Sequence, residues 1–203
     1  MKLLVAASLA ALMAIPSVEA HAKGDDGVDL EVIAALPGSE VTRRTEGDAE
    51  ILEIRRAGVV FTRVRRGDKV QTLSEDRTGL GAVACVWHLQ VAIKSFLDVC
   101  FPDQHQDIKA EVSNAIDQIN EFIIANSLAH DTQAGLDAAI SAEAAKARTA
   151  ISNIPADQVK ERCELSHMAS ALKWFERTTR ESRDQSIKEL LSVPRPPVIN
   201  PCI

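Results

Sequence analysis

Four cysteines, at positions 85, 100, 163 and 202, restrict the fold of this chain more than any other feature of its sequence. Residues 82 to 100 (AVACVWHLQVAIKSFLDVC) carry apolar groups at Val86, Leu89, Ile93, Phe96 and Cys100, with Val83, Ala92 and Leu97 widening the stripe. That is helical spacing. On one helix Cys85 and Cys100 stand about 22 Å apart, whereas bridged cysteines need Cα atoms within roughly 7 Å. They cannot pair with each other. An antiparallel arrangement of helices favours Cys100 with Cys163 and Cys85 with Cys202. Cys163 lies about two turns into its helix, however, and this leaves Cys85 with Cys163 and Cys100 with Cys202 as the alternative. Neither pairing makes a C-x-x-C redox site, so the expected role is structural.

Two disulfides require an oxidising compartment, and the first residues agree. Lys2 precedes an apolar stretch from Leu3 to Ile15, then Pro16 and the small-residue run Ala20, His21, Ala22. This is the charged, apolar and A-x-A order of a signal peptide over residues 1–22, cleaved after Ala22 or after Ala20. About 13 apolar residues is short for a bilayer span, which takes roughly 20. No cysteine follows the stretch, which speaks against lipoprotein attachment, and no second apolar run reads as long enough to span a membrane. The expectation is a soluble protein of the bacterial periplasm or a secreted one, and the absence of any N-x-S/T acceptor fits.

After a polar, Gly-rich leader (KGDDGV, 23–28), residues 23–78 read as a β-rich segment. Residues 49 to 66 hold two β-branched runs either side of Gly58, which predicts a hairpin, and Lys69 to Leu73 can add a third strand after Gly67 and Asp68. Alternation of Val60, Thr62 and Val64 with Phe61, Arg63 and Arg65 gives one face for packing and one for water. So few strands cannot bury enough surface alone and must lean on the rest of the chain or on a partner.

From residue 79 to 203 the period is helical. After the cysteine-bearing helix, Pro102 and Asp103 break the pattern. A second helix then places Ile108, Val112, Ala115, Ile116, Ile119, Phe122 and Ile123 on one side. Leu136 to Ile151 form an Ala-rich third. Pro155 opens a fourth, with Val159, Cys163, Met168, Leu172 and Phe175 inward, which bends or restarts beyond Thr179. The Pro-rich end PRPPVINPCI cannot be helical and reads as an extended tail fixed by Cys202. The expected fold is mainly α in an α+β setting: a disulfide-tied bundle of about four helices with a small hairpin-containing N-terminal segment.

The chemistry is sparse. A net charge of −6 argues against nucleic-acid binding over the whole surface, and 3% aromatic residues with no Tyr argue against a platform of stacked rings. There is no G-x-S-x-G elbow, no phosphate-binding Gly-rich loop and no motif that calls for a cofactor. One E-x-x-H, Glu164 to His167, is the unit that carboxylate di-iron bundles use in pairs, but no second copy accompanies it. The sharpest asymmetry is basic: Arg55, Arg56, Arg63, Arg65, Arg66 and Lys69 against Glu53 and Asp68. These six are the candidate partner-binding residues, for another envelope or secreted protein of acidic character. The competing explanation is that they pair with the helices of residues 101–193, where acids outnumber bases. The reading is therefore a non-enzymatic exported protein of inhibitor, immunity or assembly type, with a periplasmic enzyme or metal-binding bundle using Glu164 and His167 as the alternative.

Overall fold

The computed structural model describes residues 29–166 and 169–202. The expected signal peptide and leader lie outside these, as do His167 and Met168. The order of elements is α1 (Leu30–Ala35), β1 (Glu40–Glu46), β2 (Ala49–Arg56), β3 (Val59–Arg66), β4 (Lys69–Asp76), α2 (Val83–Cys100), α3 (Gln106–Asn126), α4 (Gln133–Ser152), α5 (Ala156–Leu165), α6 (Ala169–Arg177) and α7 (Arg180–Leu190). This is a mixed α+β protein.

The strands form one antiparallel meander, β1-β2-β3-β4. Two-residue connections join them, and each contains a glycine at positive φ: Gly47, Gly58 and Gly67. Gly58 is the least replaceable, because a Cβ there would lie 2.5 Å from Thr78 Cγ2. The sheet is larger than the hairpin and third strand read from the sequence, since β1 was not anticipated. Every residue of β1 is exposed, so it shows no apolar alternation to read.

One face of the sheet meets α1. Leu52, Ile54, Val59 and Phe61 pack there with Leu30, Ile33 and Val198 of the C-terminal tail. Asp29 caps α1 by accepting a hydrogen bond from Glu31 N at 2.9 Å. Phe61 and Arg63 share this face, while Val60, Thr62 and Val64 lie on the other.

In the helical half α2 is central and packs against both α3 and α4. The expected stripe of α3 is buried from Val112 to Ile123, with Ile108 partly so. On α2, Val83, Ile93 and Leu97 are buried as expected, but Leu89 is 48% exposed. Trp87 is buried and donates from Nε1 to Asn120 Oδ1 at 2.7 Å, which satisfies both groups. By length and composition α2 could span a membrane, with a mean hydropathy of 1.4 over 18 residues. This differs from the expectation that no run after the leader is long enough. Here its apolar girth serves helices on two sides.

The expected fourth helix is three pieces, α5, α6 and α7. Ser166 has extended backbone and ends α5, and Thr179 caps α7 by accepting from Ser182 N at 3.2 Å. Cys85 is bonded to Cys202 and Cys100 to Cys163, with Cα separations of 5.3 and 5.7 Å. Both bridges are compatible with an oxidising environment.

The tail joins the two halves. Val198 O accepts from Ala84 N at 3.1 Å, and Asn200 O accepts from Asp76 N at 2.7 Å. Arg195, fully buried, donates from Nε to Asp76, from Nη1 to Leu190 O and Val193 O, and from Nη2 to Gly81 O.

Candidate functional site

The two-residue period of the strands divides the six basic residues between both faces of the sheet. Arg56, Arg63 and Arg65 project on the face that α1 partly covers. Arg55, Arg66 and Lys69 project on the other.

Three of the six are held close by, two of them by a carboxylate, and none by the acid-rich helices. Arg55 Nε donates to Glu53 Oε1 at 2.9 Å, and Arg56 Nη1 donates to Pro37 O. Arg63 Nη2 donates to Glu31 Oε1 at 2.7 Å. Arg43, on β1, donates to the same carboxylate at 2.6 Å. Held by Arg43 first and Arg63 second, Glu31 has its pKa lowered from 4.5 to about 2. Glu53 is also lowered, chiefly by Arg55, with burial opposing and Arg44 assisting.

The tip of the β3-β4 hairpin is different. Arg66 and Lys69 stand directly opposite each other in the ladder, on the same face. Like charges in that position oppose strand pairing. The nearest acid to Arg66 is Asp48, at 3.8 Å from its Nε. The side chains of Arg65, on the opposite face of the same tip, and of Lys69 make no hydrogen bond or ion pair among the described residues. All three are exposed. Beside Arg65 lies a polar depression of about 280 Å³ whose lining includes Arg43, Arg63, Glu50 and Leu52. Four arginines, Arg43, Arg44, Arg63 and Arg65, line that hollow with one carboxylate, Glu50.

Of the six candidates, then, Arg65, Arg66 and Lys69 come together at one exposed tip, while Arg55, Arg56 and Arg63 are held in local pairs. Sequence reasoning missed Arg43 and Glu31, which sit on elements too short or too exposed to show a pattern. The cysteines are committed to the two bridges. Glu164 is 57% exposed on its side chain, with Lys160 Nζ 3.9 Å away, and His167 lies outside the described residues. Among the described residues no three His, Cys, Asp or Glu side chains gather as a metal site. His105 and His130 occupy left-handed backbone ahead of α3 and α4.

Comparison with protein-family models, with curated proteins and with solved structures finds no match to this chain.

Proposed function

We propose that the protein is an exported, non-enzymatic binding protein of the periplasm or extracellular space, and that the β3-β4 tip docks an acidic partner. The helical half, which we read as a disulfide-tied bundle, serves as its rigid base. The observation that carries this reading is the opposed pair Arg66 and Lys69 with unpartnered Arg65 behind it. A hairpin flanked by like charges is less stable than one flanked by opposite charges, so folding alone gives no reason for this choice. Contact with carboxylates would offset the repulsion and steer an acidic surface to the tip.

A photo-crosslinking amino acid placed at position 69 in the exporting cell tests the proposal. The expected product is a discrete adduct with an acidic exported protein, identified by mass spectrometry, and much weaker when the crosslinker sits at Val32 on α1. Absence of any adduct specific to position 69 would contradict the reading.

A further inference from the structure

We infer that the hollow over β1, β2 and β3 beside Arg65 binds a small phosphorylated sugar, a ligand with one phosphate monoester and several hydroxyl groups. The inference does not rest on an acidic partner at the tip, because Arg66 and Lys69 project on the other face of the sheet.

The register places the side chains. Arg43, Leu52 and Arg63 stand side by side in one row across the three strands, and Thr45, Glu50 and Arg65 stand in the next row of the same face. Between them lies the depression of about 280 Å³, near the lower end of small-molecule pockets, so the occupant is small. Arg44 reaches the rim, but its side chain serves the other face, where it donates to Glu46 and Glu53.

The first row shows how an anion is held here. Arg43 and Arg63, two strands apart, both donate to the carboxylate of Glu31, at 2.6 and 2.7 Å. Arg63 commits only Nη2 to that contact. Arg65 follows Arg63 on the same face, about 6.7 Å along β3, and its side chain makes no hydrogen bond or ion pair among the described residues. An oxyanion between Arg63 and Arg65 would repeat the arrangement that Glu31 makes between Arg43 and Arg63. A phosphate monoester fits such a position, since its three free oxygens can accept from two guanidinium forks at once.

The second row specifies the rest of the ligand. Glu50 is the direct partner of Arg65 in the ladder, yet the two form no ion pair and the Glu50 side chain accepts no hydrogen bond. Opposite charges in that position normally attract. Standing apart across the hollow, they offer one occupant a cation at one end and an acceptor at the other. Glu50 repels a bare phosphate and favours a body whose hydroxyl groups donate to it. Thr45, opposite Glu50 on β1, adds a hydroxyl, and buried Leu52 supplies an apolar floor for ring carbons.

The test is an NMR titration of the full chain, both disulfides formed, with glucose 6-phosphate, glucose and inorganic phosphate. The expected result is saturable binding of glucose 6-phosphate that shifts the amides of Glu50 and Arg65, about tenfold weaker binding of inorganic phosphate, and none of glucose. Arg65→Met, at an exposed position, should weaken binding of glucose 6-phosphate at least tenfold with the melting temperature unchanged. Glu50→Val should bring the ratio of the two phosphate compounds towards one. Lys69→Glu, which alters the tip and not the hollow, should bind glucose 6-phosphate within about twofold of the natural chain. Flotation with vesicles that carry a phosphorylated diglucosamine lipid, beside vesicles without it, distinguishes a lipid-borne sugar phosphate from a free one. No saturable binding of glucose 6-phosphate, equal affinity of the natural chain for inorganic phosphate, undiminished binding by Arg65→Met, or loss of binding in Lys69→Glu would each overturn the inference.

Discussion

Glu31 is the residue through which α1 holds the sheet, because its one carboxylate receives guanidinium groups from two different strands. Its lowered pKa ties this contact to pH. A carboxylate whose folded pKa lies below its unfolded value stabilises the fold above about 4.5, and that stabilisation is lost as the pH falls towards about 2. Melting temperatures measured from pH 6 down to pH 2 should therefore fall more steeply for the natural protein than for Glu31→Gln, with the curves converging at the acid end. Parallel curves over the whole range would show that the pair contributes nothing. The same contact explains why Arg63 is a poor place to test partner binding, since reversing its charge disturbs α1 as well. Arg65 and Lys69 have no such second role.

Among the elements, α5 depends most on a covalent bond. Cys163 is its one buried residue, so little apolar burial holds it to α2. The Cys100–Cys163 bridge spans a separation of 63 residues, for which the chain-entropy model gives about 4 kcal/mol of stabilisation. Replacing both cysteines with serine should greatly increase amide exchange across Ala156–Leu165, while β2 and β3 keep their protection. Uniform loss of protection across sheet and helices would mean that the bridge holds the whole fold. The elements also show how far the sequence could be read. Strands β2 and β3 and helices α2 and α3 follow from apolar periodicity, because each has a side in a core, whereas the Ala-rich stripe expected of α4 buries only Leu136. Strand β1 escaped notice because EVTRRTE has every residue in solvent, and α1 because six residues are too few to establish a period. The continuous fourth helix failed at Ser166, where an extended residue breaks a pattern whose apolar spacing continues on both sides. Period two was legible in β3, yet which of its faces is packed was not, since α1 and the tail decide it. The candidate arginines were visible as a run. That Arg65 and Lys69 keep no side-chain partner, with Arg66 only 3.8 Å from Asp48, while the others are held by Glu31, Glu53 and Pro37, rests on contacts that no linear reading supplies.

At the scale of the whole molecule the tail is the fastening between halves, with Arg195 and Asp76 at its centre. Their side chains are 0% and 1% exposed. Replacing Arg195 with Met leaves Asp76 buried without its partner, and should lower the unfolding free energy in urea by about 3–5 kcal/mol. Adding Asp76→Asn should recover part of that loss. A change below about 1 kcal/mol would show that the halves are joined by other means. So fastened, the molecule presents the β3-β4 tip from a fixed base, and in our proposal this tip is kept basic for a partner at a small expense in stability. Lys69→Glu separates the two effects, because it replaces the opposed pair with an attractive one across the ladder. The direct measurement is the affinity of a fluorescein-labelled Asp/Glu decapeptide, together with urea stability, for the natural chain, Lys69→Glu and Arg55→Glu as a paired-arginine control. Lys69→Glu should weaken binding about tenfold, or 1.4 kcal/mol, while stability holds or rises by a few tenths of a kcal/mol, and Arg55→Glu should bind as the natural chain does. Unchanged binding by Lys69→Glu, or a loss of more than about 1 kcal/mol in its stability, would contradict it.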